Sequence, residues 1–143
     1  MFPFDPAAIL PSFADIPLSN YADGTFVEVE FTEDAFALDV GAGGAVTRRR
    51  IRNDTGMATV TLKAEAPENA LLSALATADR RTGEGVGVFS CTDVLGSTEV
   101  LSPVAWIRKV PAISWQNGAN VRAWIFDLTD LEITVGSSEP VGA

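Results

Sequence analysis

Residues 46–54 read VTRRRIRND, and four of the chain's ten basic residues stand there: Arg48, Arg49, Arg50 and Arg52. Guanidinium groups bind phosphates and carboxylates through paired N–H donors, so such a run suits one partner or the other. Phosphate is the poorer match. The chain carries net charge -9 and a pI near 4.3, whereas nucleic-acid binding rests on neutralising phosphates with Lys and Arg. An acidic wall repels phosphates over about one Debye length, ~8 Å at physiological salt. Carboxylates are abundant: the 47 residues before Arg48 hold eight, and no Lys or Arg.

Other chemistry has little material. There is no histidine, which removes imidazole acid–base catalysis. The one cysteine, Cys91, lacks its usual partner base and has no second cysteine for an internal disulfide. It is either a small buried thiol or an exposed thiol that pairs with another chain. Zinc-type Cys/His clusters are absent. The segment GEGVG, 83–87, lacks the strand–turn–helix context of a nucleotide fingerprint. In DLTDLE, 127–132, alternation puts Asp130 and Glu132 on one strand face, which suits solvent better than calcium. Nothing singles out a carboxylate pair for glycoside hydrolysis. Trp106 and Trp124 sit mid-strand among apolar neighbours and read as core, so a sugar-binding tryptophan face is the weaker reading. An enzyme is not expected, nor is a cofactor.

The arginine run must be positioned by turns on either side. GAGG, 41–44, is a glycine-rich turn, and pairing 34–40 with 45–51 across it sorts the residues into two faces. Phe36, Leu38 and Val40 join Thr47, Arg49 and Ile51. Glu33, Ala35, Ala37 and Asp39 join Val46, Arg48, Arg50 and Arg52. A second turn, NDTG at 53–56, adds Ala58, Val60, Leu62 and Ala64 to the apolar face and Thr59, Thr61 and Lys63 to the polar one. The expectation is a three-stranded meander over 34–65. Arg49 then lies on the apolar face and needs a carboxylate within or beneath the sheet.

Elsewhere, TFVEVEF (25–31) alternates as a strand with Glu28 and Glu30 outward. PENALLSALATADRRTG (67–83) predicts the one helix, about 68–81. Asn69 or a neighbour caps it, Leu71, Leu72, Leu75 and Ala78 form its buried stripe, and Gly83 lies just past its end. Strands are predicted over 85–92, over 98–110 with a bulge or edge position at Pro103, and over 121–135. At 143 residues the chain reads as one domain, with an irregular, proline-rich arm over 1–20, a projecting hairpin over 33–55 and a loose tail over 136–143. The class is mainly β: an antiparallel sandwich or barrel of about seven strands with one helix. The longest charge-free run, Val110–Val121, has 12 residues, well short of the ~20 a membrane span needs. The start carries no positive charge and is broken by prolines, so no secretory signal is expected and synthesis is read as cytosolic.

Three segments in this order and spacing, YADGTFVEVEFTEDAFALDVGAGGAVTRRRIRNDTGMATVTL (21–62), PENALLSALATADRRTG (67–83) and AWIRKV (105–110), resemble the compact tail tube proteins of contractile-tailed bacteriophages. The resemblance covers roughly residues 20–135. That family's pattern has a small polar residue between two arginines, and Arg49 departs from it. The resemblance implies homo-hexameric rings stacked into a helical tube, with the subunits' inner sheets joined in a continuous β-barrel around a channel. DNA passes through without specific binding. A tail sheath protein surrounds the tube, and other tail proteins cover its ends. The site would be the virion tail, with synthesis in the host cytoplasm and no membrane partner. Glu33, Asp34, Asp39, Arg48, Arg49, Arg50 and Arg52 would then lie at a contact between subunits or rings. Glu28 and Glu30 would be lumen-facing acids, and Cys91 an intermolecular thiol. Two alternatives stand beside it: a β-sandwich module binding a carbohydrate or protein ligand, and the tube of a tail-derived bacteriocin or secretion particle.

Overall fold

The computed structural model describes residues 9–21, 26–94 and 96–136. The expected loose tail lies outside these apart from Gly136, as do residues 1–8 of the expected arm. Within the described residues there are ten strands and one helix. In chain order they are β1 Ile9–Phe13, β2 Ile16–Pro17, β3 Val27–Phe31, β4 Phe36–Val40, β5 Val46–Arg50, β6 Gly56–Lys63, α1 Glu68–Thr82, β7 Gly87–Asp93, β8 Glu99–Lys109, β9 Val121–Thr129 and β10 Glu132–Thr134. Eight strands form one antiparallel sheet in the order β2-β1-β7-β8-β9-β6-β3, with β10 also paired to β8. The remaining two, β4 and β5, form a sheet of their own.

Alternation drives the large sheet. Along β6, Ala58, Val60 and Leu62 are fully buried while Met57, Thr59 and Thr61 face outward. In β9, Trp124, Phe126 and Leu128 point inward. Phe13 on β1 lies 4.9 Å from Phe126 on β9, and Phe89 on β7 lies 5.3 Å from it, centroid to centroid. In a flat sheet β1 and β9 would be three strand spacings apart, ~14 Å. The sheet therefore curls over one core, and α1 packs Leu72, Leu75 and Ala76 against it. Among the described residues the curl does not close: β3 pairs only with β6.

Three local devices shape the strands. Phe89 opposes Ser102 while Gly87 opposes Ala105, which places the expected bulge at Pro103. The fully buried Ser102 hydroxyl patches the neighbouring ladder, donating to the Thr129 carbonyl at 2.7 Å and accepting the Thr129 N–H at 3.0 Å. Asp130 takes φ 47° and breaks the predicted 121–135 strand into β9 and β10. Asp130 and Glu132 therefore do not share one strand face.

The predicted irregular arm is in part a hairpin. Ala14 and Asp15 take φ 49° and 66°, the two left-handed positions of a two-residue turn, and Phe13 pairs with Ile16. Prolines suggested an irregular path there, but Pro17 sits in the edge strand, where a missing N–H breaks no ladder bond. The helix also differs in detail. Leu71 and Ala78 are exposed, and the inward side carries Leu72, Leu75 and Ala76. The N-cap position is Pro67, with no side-chain cap. Asn69 instead donates to the Lys63 carbonyl at 2.9 Å and accepts the Trp124 indole N–H at 2.8 Å. Gly83 closes the helix at φ 74°, as its position in the sequence predicts.

Candidate assembly surface

The arginine run lies on β5, and its neighbours follow from one turn. Gly44 takes φ 85°, its N–H bonds the Gly41 carbonyl at 2.9 Å, and the Gly41 N–H bonds the Ala45 carbonyl at 2.8 Å. This is a three-residue loop ending in a left-handed glycine. It sets Val40 opposite Val46, Leu38 opposite Arg48, Ala37 opposite Arg49 and Phe36 opposite Arg50. The expected register, with 40 opposite 45, is one residue off, because the turn uses one residue more than an even loop. Every β5 side chain consequently changes face.

Arg49 thus shares a face with Ala37, Asp39 and Thr47, and its Nε lies 3.6 Å from the Asp39 carboxylate. The partner is on the adjacent strand, not beneath the sheet. The other face carries Phe36, Leu38, Val40 and Val46 together with Arg48 and Arg50. The Arg48 guanidinium lies over the Phe36 ring, 4.2 Å from its centroid. Among the described residues, Arg48, Arg50 and Arg52 form no ion pair. Glu33 and Asp34 are exposed in the segment entering β4 and border an open cleft with Arg49 and Ile51.

The expected third strand of the meander is not there. β6 pairs with β3 and β9, and among the described residues β5 pairs only with β4. The extended segment 51–55 separates them. Asn53 Oδ1 accepts the Thr55 N–H at 3.1 Å, and Leu131 N–H bonds the Asp54 carbonyl at 2.9 Å. The hairpin therefore stands off the core with Leu38 70% and Val46 66% exposed. An isolated two-stranded hairpin is marginal in water, and this one leaves its apolar face exposed.

The outward face of β3, β6, β9 and β8 is a second surface. Glu28 and Glu30 oppose Thr59 and Met57, and Met57 opposes Asp127. Asp127 is engaged: Arg108 Nε bonds one of its oxygens at 2.5 Å, and the Trp106 indole N–H bonds the other at 3.1 Å. Glu28 and Glu30 are exposed and make no ion pair among the described residues. Trp124 points into the core, Trp106 is half-buried on this outer face, and Trp115 is exposed in the β8–β9 loop. The three tryptophans therefore offer no common sugar platform.

The third surface is the seam where the curled sheet stays open. Ile9, Val27, Val29, Cys91, Val100 and Ile133 line an apolar cavity there of about 460 Å³. Cys91 is buried at its wall, and burial, aided by the nearby Asp93 carboxylate, pushes its thiol up to about 11. Such a thiol has little thiolate at neutral pH. Tyr21 lies at the same end, donating its hydroxyl to the Ile9 carbonyl and stacking on Phe26. Burial, with the neighbouring Cys91, pushes that phenol up to about 12. Sequence reasoning missed both the seam and Glu68, a buried carboxylate in the first turn of α1 that accepts the Asn20 side-chain N–H at 2.9 Å. Neither leaves a local signal, because both arise from packing between distant segments.

Comparison with known proteins bears on the fold and the family. Structural protein ORF10 of Pseudomonas phage KPP10 is 29% identical over 126 residues, covering 87% of this chain and 73% of that protein. The tube-terminating cap of the anti-feeding prophage superposes with a TM-score of 0.62 at 12% identity, covering 94% of this chain and 92% of its own. The sheath/tube terminator of the extracellular contractile injection system PVC gives 0.64 at 9% identity, covering 94% and 99%. A chain of the PVC sheath–tube complex gives 0.58 at 10%, covering 93% and 92%. At these identities the structural likeness establishes the fold. Residues 12–136 match the family described as bacteriophage PhiTE tail tube protein, and with that span the chain belongs to this tail tube family.

Proposed function

We propose that the chain is the structural subunit of a phage tail tube, forming hexameric rings that stack into a hollow tube inside a contractile sheath. DNA passes through the tube during infection. The β4–β5 hairpin carries this reading: among the described residues it pairs only with itself, and it exposes apolar and arginine side chains together. Glu33, Asp34, Asp39, Arg48, Arg49, Arg50 and Arg52 belong to the contact between subunits or rings. Arg49 and Asp39 stiffen the hairpin, while Arg48 and Arg50 meet carboxylates of the next chain. Glu28 and Glu30 belong on the channel wall, where unpaired acid keeps DNA from adhering.

The subunit does no covalent chemistry in this reading. Its partners are copies of itself, a sheath protein and the proteins at the tube ends, in the virion tail. Negative-stain microscopy of the purified chain tests it, with rings or tubes expected. A strictly monomeric species at high concentration and moderate salt overturns it.

A further inference from the structure

The chain carries five asparagines, and four of their side chains are held. Asn20 donates to both Glu68 carboxylate oxygens at 2.9 Å, and Asn53 Oδ1 accepts the Thr55 N–H at 3.1 Å. Asn69 is tied to the Lys63 carbonyl at 2.9 Å and to the Trp124 indole at 2.8 Å. Asn120 Oδ1 accepts the Gln116 N–H at 2.9 Å, and its Nδ2 donates to the Gln116 carbonyl at 3.2 Å. Asn117 is the exception. It is exposed in the β8–β9 loop, and among the described residues its side chain forms no hydrogen bond. Gln116 Nε2 donates to the Ala119 carbonyl at 2.8 Å, so residues 116–120 are clamped by the side chains of Gln116 and Asn120 around an unengaged amide.

The residue after it sharpens the contrast. Asn20, Asn53, Asn69 and Asn120 are followed by Tyr21, Asp54, Ala70 and Val121, whose side chains crowd the intervening peptide nitrogen. Asn117 is followed by Gly118, at φ 99°, where even an added Cβ would meet nothing within 4 Å. The base of the loop is cationic. Lys109 ends β8, Lys63 lies opposite Val121, and Arg122 bonds the Ser114 carbonyl at 3.3 Å and the Val121 carbonyl at 2.8 Å without an ion pair among the described residues. Positive charge nearby favours a deprotonated nitrogen, and also a new carboxylate.

We propose that Asn117 is a site of spontaneous deamidation, through which the β8–β9 loop gains a negative charge as the chain ages. The Gly118 peptide nitrogen gives its proton to solvent base and attacks Asn117 Cγ. The N–Cγ bond forms, the Cγ–Nδ2 bond breaks, and Nδ2 takes up a proton and leaves as ammonia. Water then opens the cyclic succinimide at either carbonyl. One opening gives aspartate and the other isoaspartate, and nothing is oxidised or reduced. The isoaspartate main chain is longer by one methylene, which pulls Gln116 away from Asn120 and breaks the clamp between them. The site is independent of the tail tube reading.

Ageing the purified full chain in mildly alkaline buffer tests the site. Samples taken at intervals are digested at acidic pH, and each asparagine peptide is followed by mass spectrometry. Asn117 should convert at least about tenfold faster than Asn20, Asn53, Asn69 or Asn120, and faster still as alkali increases. Aspartate and isoaspartate peptides should both appear. The intact chain should move to the acidic side on ion exchange in step with them. Asn117→Gln, folded by circular dichroism, should abolish that movement, and Gly118→Ala should slow it. Amide exchange at Gln116 should quicken in the aged wild-type chain and not in aged Asn117→Gln. Earlier conversion at any other asparagine would overturn the proposal. So would an unchanged Asn117 after a time in which a free peptide of residues 113–120 converts fully, because the folded loop would then shield the nitrogen. Aspartate without isoaspartate would mean direct hydrolysis and overturn the ring-closing route.

Discussion

Arg49 pairs with Asp39 across the β4–β5 hairpin, with Nε 3.6 Å from the carboxylate and both side chains more than half exposed. The pair reports the hairpin's register, since the two groups share a face when Leu38 opposes Arg48. Exposed pairs contribute about 0.2–1 kcal/mol. A double-mutant cycle between Arg49→Ala and Asp39→Ala should return a coupling in that range, falling as salt rises. A cycle between Arg48 and Asp39 should return essentially none. The reverse pattern would restore the register in which Arg48 faces Asp39.

Gly44 tests the independence of the hairpin. Its φ of 85° is open to glycine but strained for a β-branched residue, at about 1–2 kcal/mol. Gly44→Val should therefore loosen the hairpin and speed amide exchange at Val46 and Arg48. Among the described residues β4 and β5 pair only with each other, so the main thermal transition of the core should hardly move. A fall of several degrees in that transition would mean that the hairpin is part of the core's cooperative unit.

The contrast between β5 and β6 explains what was legible in the sequence. Alternation marked the inward faces of β6 and β9 correctly, because Val60, Leu62, Trp124 and Phe126 each have a buried side and an outer side. The helix and Gly83 were legible for the same reason, as local chemistry. On β4–β5 no side chain is buried, so period gave no anchor for the register. The single residue at the Gly44 bend then decided every face. The pairing of β6 with β3 and β9 was not legible, since it is made between residues far apart in the chain, as Gly56 and Leu128 are. Glu28 and Glu30 were read correctly as exposed acids. The seam between Val27 on β3 and Cys91 on β7 exists only once the sheet has curled.

Gly56 is the joint between the hairpin and the core. A Cβ there would meet Leu131 Cδ2 at 2.2 Å and the Glu30 carbonyl oxygen at 2.6 Å. Leu131 is a buried core residue, and the Glu30 backbone is held by pairing with β6, so neither can move freely. Gly56→Ala should cost about 1–3 kcal/mol by overpacking. For a chain of this size that lowers the melting temperature by roughly 2–4 °C per kcal/mol. Unchanged melting would show that β3 and β10 can separate at this point.

Tyr21 and Cys91 make the seam sensitive to alkali. Both groups are held protonated in the fold: Cys91 is raised to about 11 from 9.0, and Tyr21 to about 12 from 10.0. A raised folded-state value means that the folded chain keeps a proton the unfolded chain has lost. The stability linked to each group is complete below its unfolded value and is lost as pH rises through its folded one. The loss should begin near pH 9 with Cys91 and extend to about pH 12 with Tyr21. Urea midpoints followed by circular dichroism at pH 8, 10 and 11 should fall over this window. Cys91→Ala should flatten the first part of the fall. Tyr21→Phe should flatten the later part, at a neutral-pH cost of about 1 kcal/mol for the lost Ile9 hydrogen bond. Identical pH profiles for the wild-type chain and both variants would mean that neither proton is held by the fold, and the seam would then be open to water at both residues.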